Sequence, residues 1–224
     1  MTWAQAAEDI SRQLEAISQL DSASIILVGS AARGVNTPES DIDILVLSPR
    51  SLPLLGTPAN VQMFTMTRDQ FMQKLRSADD FAQWALRYGK TISDRSGWWQ
   101  NLIHTPNVEI WPSWQRKVEQ SESRLSFALR LLDSKDYDHA QEEYLLAARH
   151  LARGLLLKLG VFPLSQPELP QQLREAGLAE IAEMLDVLVK SPNDADLRRA
   201  HELLTGWIRE LSLQVGHPGT RRAQ

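Results

Sequence analysis

Apolar and polar positions along the first half of the chain follow two different periods. Between residues 4 and 20 the apolar side chains recur at helical spacing, which predicts an amphipathic helix. The continuous apolar run at 25–28 predicts a buried strand, and the stretches 41–47 and 61–66 predict two more. Further helices are predicted over 30–33, 68–76 and 81–88. Strands that alternate with helices indicate an α/β-type unit with a small mixed sheet.

The second half of the chain carries only the helical period. Residues 116–132 and 137–159 each place their apolar side chains along one side, and Gly160 stands where a glycine commonly ends a helix. Two or three more helices are predicted between residues 171 and 214. This half therefore predicts an antiparallel all-α helical bundle. The fold class that follows is α+β, a small mixed β-sheet domain followed by the bundle.

The change of period sets the expected domain boundaries. The strands stop near the Trp-Pro-Ser-Trp segment at 111–114, so the first domain is expected at residues 1–112 and the bundle at 113–216. Residues 217–224 are polar and form the expected flexible tail.

Composition narrows the class of protein. The 224 residues carry a net charge of −4, which gives no general attraction to nucleic acids or anionic membranes. The sequence has no cysteine, so disulfides, thiol catalysis and cysteine-bound metals are excluded, as suits a reducing cytoplasm. No apolar stretch approaches the ~20 residues that cross a bilayer, and no signal peptide is evident. We expect a cytoplasmic globular protein that does not enter a membrane.

The second predicted strand begins with two aspartates, which are the first candidates for metal-binding or catalytic residues. Asp41 and Asp43 are two positions apart, so a strand points both to one face, roughly 6–7 Å apart at Cα, while Ile42 and Ile44 face a core. Two carboxylates on one face repel each other unless a cation lies between them. Carboxylate oxygens are the ligands that Mg²⁺ or Mn²⁺ prefers, and two ions about 3.5–4 Å apart could share this pair.

A glycine–serine turn precedes these aspartates and supplies a site for an anion. Gly29 lets the backbone approach a ligand closely, and a helix that begins at Ser30 presents free N–H groups to a phosphate. The Ser30 hydroxyl can add a hydrogen bond, and Arg33 can add a positive charge. Gly34 is placed to end this short helix.

The order of these residues resembles that of the polymerase-β-like nucleotidyltransferases. Gly29, Ser30, Asp41 and Asp43 fit the Gly-Ser and Asp-x-Asp pattern of the minimal and kanamycin-nucleotidyltransferase branch. Residues 142–157 and the proline loop after them are similar to the helical (HEPN-like) domains that accompany this branch. The resemblance implies that a nucleotide monophosphate moves from ATP or another nucleoside triphosphate to an acceptor hydroxyl, with pyrophosphate leaving.

One position departs from the family pattern. Members commonly carry a third metal-binding carboxylate on the next central strand, where this chain has Gln62. A glutamine amide is neutral and is neither an anionic ligand nor a general base. The substitutes considered are Asp69, Asp94 and Glu109, all in segments predicted as helix or loop.

Two functions therefore remain open. In the first, the chain is a transferase. The resemblance implies that members with only two aspartates take a base from the helical domain, and here that base is Glu142 or Glu143, which deprotonates the acceptor. In the second, it is a catalytically degenerate nucleotide-binding or antitoxin-like regulatory protein that keeps the pocket. The acidic balance favours a small molecule or a protein over RNA as the acceptor. Exposed bundle faces and the region of Trp111 are compatible with a homodimer.

Overall fold

The computed structural model describes Glu15 and residues 22–36, 40–51 and 60–215, of which residues 214 and 215 are described by their backbone only. The chain divides into two compact units, Met1–Trp111 and Pro112–Gln224. Apart from Glu15, the helix predicted over residues 4–20 lies outside the described residues, as does the tail predicted at 217–224.

The described part of the first unit holds a four-stranded mixed sheet with helices between its strands. In chain order the elements are β1 (Ser24–Val28), α1 (Gly29–Arg33), β2 (Ile42–Ser48), β3 (Val61–Thr67), α2 (Arg68–Arg76), α3 (Asp80–Tyr88), β4 (Lys90–Asp94) and α4 (Trp98–Ile103). The spatial strand order is β3-β2-β1-β4, with β2 parallel to β3, and β1 antiparallel to both β2 and β4. This confirms the mixed sheet and the α+β class predicted from the sequence.

The strand β4 and the helix α4 differ from the sequence-based expectation. Asp94 was expected in a helix or loop, but it ends β4 and pairs with Ser24 of β1. Of the five residues of this edge strand only Ile92 is strongly apolar, and it is 48% exposed. An edge strand with so little buried surface leaves no alternating hydrophobic pattern to detect.

The sheet buries apolar side chains on both faces. One face packs with Phe71, Leu75, Ala82, Ala85, Trp99 and Leu102 of α2, α3 and α4, and the strands contribute Ile26, Val28, Leu45 and Leu47 to it. The other face buries Ala23, Ile25, Ile44, Val46 and Val61. Because alternate residues of a strand point to opposite faces, Asp43 and Gln62 belong to the first face, at its end.

Side chains at the helix ends fix where α2 and α3 begin. The Thr67 hydroxyl accepts a hydrogen bond from the Gln70 backbone N–H, and the Gln70 side chain accepts one from the Thr67 N–H. This capping box makes Thr67 the cap of α2, which begins at residue 68 as predicted. Asp79 caps α3 in the same way by accepting from the Ala82 N–H.

The second unit is helical throughout its described residues, as predicted. The helices are α5 (Trp114–Asp133), α6 (Tyr137–Lys158), α7 (Leu169–Glu175), α8 (Ala179–Val189) and α9 (Asp194–Val215). Residues 134–136 connect α5 to α6, and so short a connection makes the two long helices antiparallel neighbours. The buried Ser121 hydroxyl donates to the Ala147 carbonyl oxygen at 2.8 Å and ties these helices together. The Asn193 side chain caps α9 by accepting from the Asp196 N–H at 3.0 Å.

Leucine and alanine make up most of the bundle core, which also buries the Tyr144 side chain completely. Gly154 of α6 lies against α5, because a Cβ atom placed there would lie 3.2 Å from both the Lys117 Cβ and the Trp114 carbonyl oxygen. Of the helices that the structure describes, none has the length and apolar character of a membrane span.

Candidate functional site

The Gly29–Ser30 turn stands where β1 passes directly into α1. Val28 is extended, Gly29 has a φ of 71°, and the five-residue helix ends at Gly34 with a φ of 73°. The left-handed conformation favours glycine at both positions, since a Cβ atom is strained there. The short helix and its terminating glycine are thus confirmed. Val28 provides no side-chain cap to the first N–H groups of α1, as an apolar residue cannot accept their hydrogen bonds.

Asp43 lies directly against this turn. It is the antiparallel partner of Val28, the residue before Gly29. A Cβ atom at Gly29 would lie 2.0 Å from Oδ2 of Asp43, which is far inside van der Waals contact. Glycine is therefore required at position 29 both for its φ angle and for the room that the carboxylate occupies.

Asp41 and Gln62 complete this corner of the sheet. Gln62 is the parallel partner of Asp43, and its Nε2 donates a hydrogen bond to Oδ2 of Asp41 at 3.1 Å. Asp41 precedes the first residue of β2 and is exposed, whereas Asp43 is half-buried. The structure thus brings Asp41, Asp43 and Gln62 together beside Gly29.

Only one of the two isoleucines next to these aspartates is in the core. Ile44 is 2% exposed, as predicted, but Ile42 is 38% exposed, so the expectation that both face a core was wrong. Ile42 is the first residue of β2, at the end of the sheet, whereas Ile44 lies further along the strand.

The electrostatics of the corner favour a cation. Burial raises the pKa of Asp43, and the nearby Asp41 carboxylate raises it further. Both effects mean that it costs free energy to keep the two carboxylates ionised side by side. A divalent cation between them would remove that cost. Two carboxylates and an amide are oxygen donors of the kind that Mg²⁺ and Mn²⁺ bind. The residues present therefore fit a divalent metal ion, with two anionic ligands rather than three.

Among the described residues, the three substitutes considered for the third carboxylate form no metal-binding group with the two aspartates. Asp94 pairs with Ser24, four residues before Val28 on β1, which is about 13 Å along the strand from the Asp43 pairing. There its carboxylate accepts from the Ser24 hydroxyl at 2.7 Å and the Gln100 N–H at 2.9 Å. Asp94 is thus part of the opposite end of the sheet.

Asp69 lies far from the corner, and Glu109 is paired with a base. Asp69 is in the first turn of α2, just after Thr67 pairs with Ser48 at the far end of β2 and β3. Glu109 binds the Arg87 guanidinium at 2.6 Å. Among the residues that the structure describes, no group of three or more histidine, cysteine, aspartate or glutamate side chains is placed to hold a metal ion.

Arg33 is held by aromatic rings of α3, a contact that the sequence analysis missed. Its guanidinium carbon lies 5.6 Å from the ring centroid of Trp84 and 5.1 Å from that of Tyr88. The two rings are themselves packed at 4.8 Å. Their four-residue spacing on one helix was the available signal, since such residues share a helix face.

The two glutamates considered as a base lie on α6 in the second unit. Glu142 is exposed, whereas Glu143 is partly buried and accepts from Nη1 of Arg124 on α5 at 3.0 Å. Glu143 therefore contributes to the pairing of α5 and α6, and of the two Glu142 is the more accessible to a ligand.

Part of the first unit matches a known protein family. Residues 10–89 match the family model for the nucleotidyltransferase domain. This segment is a polymerase-β-like nucleotidyltransferase domain. The matched residues include the Gly29–Ser30 turn, both aspartates and Gln62, so the corner described above belongs to the nucleotidyltransferase domain itself.

Other comparisons are more distant. A nucleotidyltransferase-like protein from Exiguobacterium sibiricum 255-15, known from a crystal structure, is 20% identical in sequence to this chain. That match covers 92% of this chain and 74% of the other, with a TM-score of 0.48. No curated protein matches the chain significantly.

Proposed function

We propose that this protein is a Mg²⁺-dependent nucleotidyltransferase. It moves a nucleotide monophosphate from ATP or another nucleoside triphosphate to an acceptor hydroxyl, and pyrophosphate leaves. The observation that carries the proposal is the contact between Gly29 and Asp43, because it joins the anion-binding turn to the paired carboxylates. The nucleotidyltransferase family match over residues 10–89 supports it.

Each residue of the corner has a role in this proposal. Asp41 and Asp43 hold a divalent cation together with the triphosphate, and Mn²⁺ can replace Mg²⁺. The bound cation neutralises phosphate charge and polarises the phosphoryl group. Gly29 keeps the backbone close to the phosphates, and the Ser30 hydroxyl and the Arg33 guanidinium add polar contacts. Together they orient the α-phosphorus for in-line attack by the acceptor.

The acceptor is proposed to be a small molecule or a protein side chain. The net charge of −4 gives a large RNA no general attraction. An acceptor hydroxyl needs a group that takes its proton, and we propose Glu142 rather than Glu143 for this role because Arg124 holds Glu143. Glu142→Gln is therefore expected to slow transfer at saturating nucleotide, without changing nucleotide affinity.

Thermal unfolding with ATP, in the presence and absence of Mg²⁺, tests the site. A ligand that binds only the folded state raises the midpoint temperature. We expect a Mg²⁺-dependent rise in the wild type that is lost in Asp41→Ala and in Asp43→Ala. Glu183→Ala, an exposed acidic position on α8, is the matched control and should keep the rise. If both aspartate variants keep it, the site is misassigned.

Release of pyrophosphate over a panel of acceptors tests the reaction. The proposed mechanism requires release by the wild type and none by the Asp41→Ala, Asp43→Ala double variant. Undiminished release by the double variant excludes the mechanism.

One observation favours a second function. Gln62 occupies the position next to Asp43 where an acid would extend the site, and its amide is used to bind Asp41. A protein of this kind would bind nucleotide with Mg²⁺ as a sensor or an antitoxin-like regulator. It would show the Mg²⁺-dependent thermal shift but release no pyrophosphate with any acceptor.

A further inference from the structure

Gln62 brings a third side chain to the two aspartates from the neighbouring strand β3. It lies beside Asp43 in the parallel register, and its side chain contacts Asp41. An ionised carboxylate only accepts hydrogen bonds, so the amide must turn its N–H group toward Asp41. Its carbonyl oxygen, the only metal-binding atom of this side chain, therefore points away from the Asp41 carboxylate.

This hydrogen bond changes what the carboxylate pair can bind. One of its four oxygen atoms, Oδ2 of Asp41, already faces an N–H donor at 3.1 Å. A Mg²⁺ ion is usually held by one or two carboxylates together with substrate phosphates and water. The pair satisfies that requirement for one ion. A second ion would need further anionic oxygen atoms, since it would otherwise share the ligands of the first.

Such atoms are not found near the corner in the described residues. Asp94 is engaged at the opposite end of β1, Asp69 follows the far end of β3, and Glu109 binds Arg87. An octahedral Mg²⁺ ion takes six oxygen ligands, and two carboxylates beside an amide turned toward Asp41 leave most of these positions to other groups. An ion that brings its own phosphate oxygens is therefore bound more readily than a free ion.

We propose that this corner is a one-cation site, which takes up its divalent ion together with the triphosphate, because Gln62 supplies an amide where a second ion would need a third carboxylate. The inference rests on the proposed nucleotide site at Asp41 and Asp43. It replaces the two-ion arrangement that the sequence allowed with an arrangement that the contacts of Gln62 favour. The Gln62 side chain donates its N–H group to Asp41 and offers no anionic oxygen to a second ion.

Counting bound Mn²⁺ by electron paramagnetic resonance tests the proposal. The full-length protein is titrated with MnCl₂ alone and with one equivalent of α,β-methylene-ATP. For the wild type we expect weak binding of Mn²⁺ alone and one ion per chain with the nucleotide analogue. Gln62→Glu and Gln62→Asp supply the missing carboxylate and should bind a second ion, with affinity for Mn²⁺ alone increased about tenfold or more.

Asn101→Asp is the matched control. It makes the same amide-to-acid change at an exposed position on α4, just after Asp94 at the opposite end of the sheet. It should keep one ion and the wild-type affinity. Gln62→Met removes the hydrogen bond without adding charge and should also keep one ion, because only an added carboxylate completes a second site.

The outcomes separate this inference from the proposed function. Two ions per wild-type chain, or no second ion in a folded Gln62→Glu or Gln62→Asp variant, overturns the one-cation site and leaves the nucleotide site intact. Nucleotide-dependent Mn²⁺ binding to the protein that persists in both Asp41→Ala and Asp43→Ala overturns the nucleotide site itself. If both acidic variants fail to fold, the wild-type count alone decides.

Discussion

Gly29 and Asp43 are in direct contact across the end of the sheet. A methyl group at Gly29 would lie 2.0 Å from Oδ2 of the Asp43 carboxylate. Val28 and Asp43 are paired in the antiparallel register, so the turn that follows Val28 must pass over the carboxylate. The anion-binding turn and the carboxylate pair therefore form one structure, and a change in either displaces the other.

Replacing Gly29 with alanine should remove nucleotide binding. The added methyl must push the Asp43 carboxylate out of position, so we expect the Mg²⁺-dependent thermal shift with ATP to be lost. Gly34→Ala is the control, since Gly34 also has a positive φ but a methyl group added there would meet no atom within 4 Å. It should lower the free energy of unfolding by about 1–2 kcal/mol and keep the shift. Equal loss in both variants would assign the effect to backbone strain.

Replacing Asp43 with asparagine should stabilise the metal-free protein at neutral pH. The pKa of Asp43 is raised from 3.8 by burial and then by Asp41. The folded state therefore binds the proton more tightly than the unfolded state, and stability is lost as the pH rises through the folded pKa. Asp43→Asn removes this loss, so its midpoint temperature in EDTA should exceed that of the wild type at about pH 7 and approach it at about pH 4.

The same variant should lose the Mg²⁺-dependent shift with ATP, because the amide is a weak metal ligand. Glu183→Gln removes one negative charge from an exposed position in the second unit and is the control for net charge. A midpoint for Asp43→Asn below that of the wild type at neutral pH would show that the ionised carboxylate stabilises the fold.

Arg33 should contribute to both stability and nucleotide binding. Its guanidinium stacks on Trp84 and Tyr88, and such contacts stabilise proteins by about 0.5–1 kcal/mol at exposed sites. Arg33→Ala should lose that stability and part of the thermal shift with ATP. Arg33→Lys keeps the charge but not the planar group, so it should keep more of the shift. An unchanged shift in Arg33→Ala would remove this residue from the nucleotide site.

Two glycines on long helices of the second unit should respond in opposite directions. A side chain at Gly154 would meet α5 at 3.2 Å, so Gly154→Leu should lower the free energy of unfolding by about 1–3 kcal/mol. Gly206 is exposed on α9 and an added methyl group there would meet no atom within 4 Å, so Gly206→Ala should raise it by about 0.5–1 kcal/mol. Urea unfolding measures both, and a neutral Gly154→Leu would mean that the two helices can separate without cost.

Much of the secondary structure followed from local patterns. The helix at 68–76 was predicted with the bounds that α2 has, because Thr67, Gln70 and the apolar spacing act within one turn of the chain. The strand β4 could not be predicted in this way. It forms because Ser24 and Ile25 of β1 offer it a hydrogen-bonding edge, which no local pattern records.

Local patterns in the sequence were enough to predict the α+β class, most of the elements in chain order and the residues of the Gly-Ser and Asp-x-Asp pattern. These depend on hydrophobic periodicity and on short-range spacing, which are properties of neighbouring residues. Three relationships became visible only in the fold: the pairing of Asp43 with Val28 and Gln62, the hydrogen bond from Gln62 to Asp41, and the distance of Asp94 from both aspartates. Those relationships depend on strand order and register, which are fixed by contacts between segments far apart in the chain.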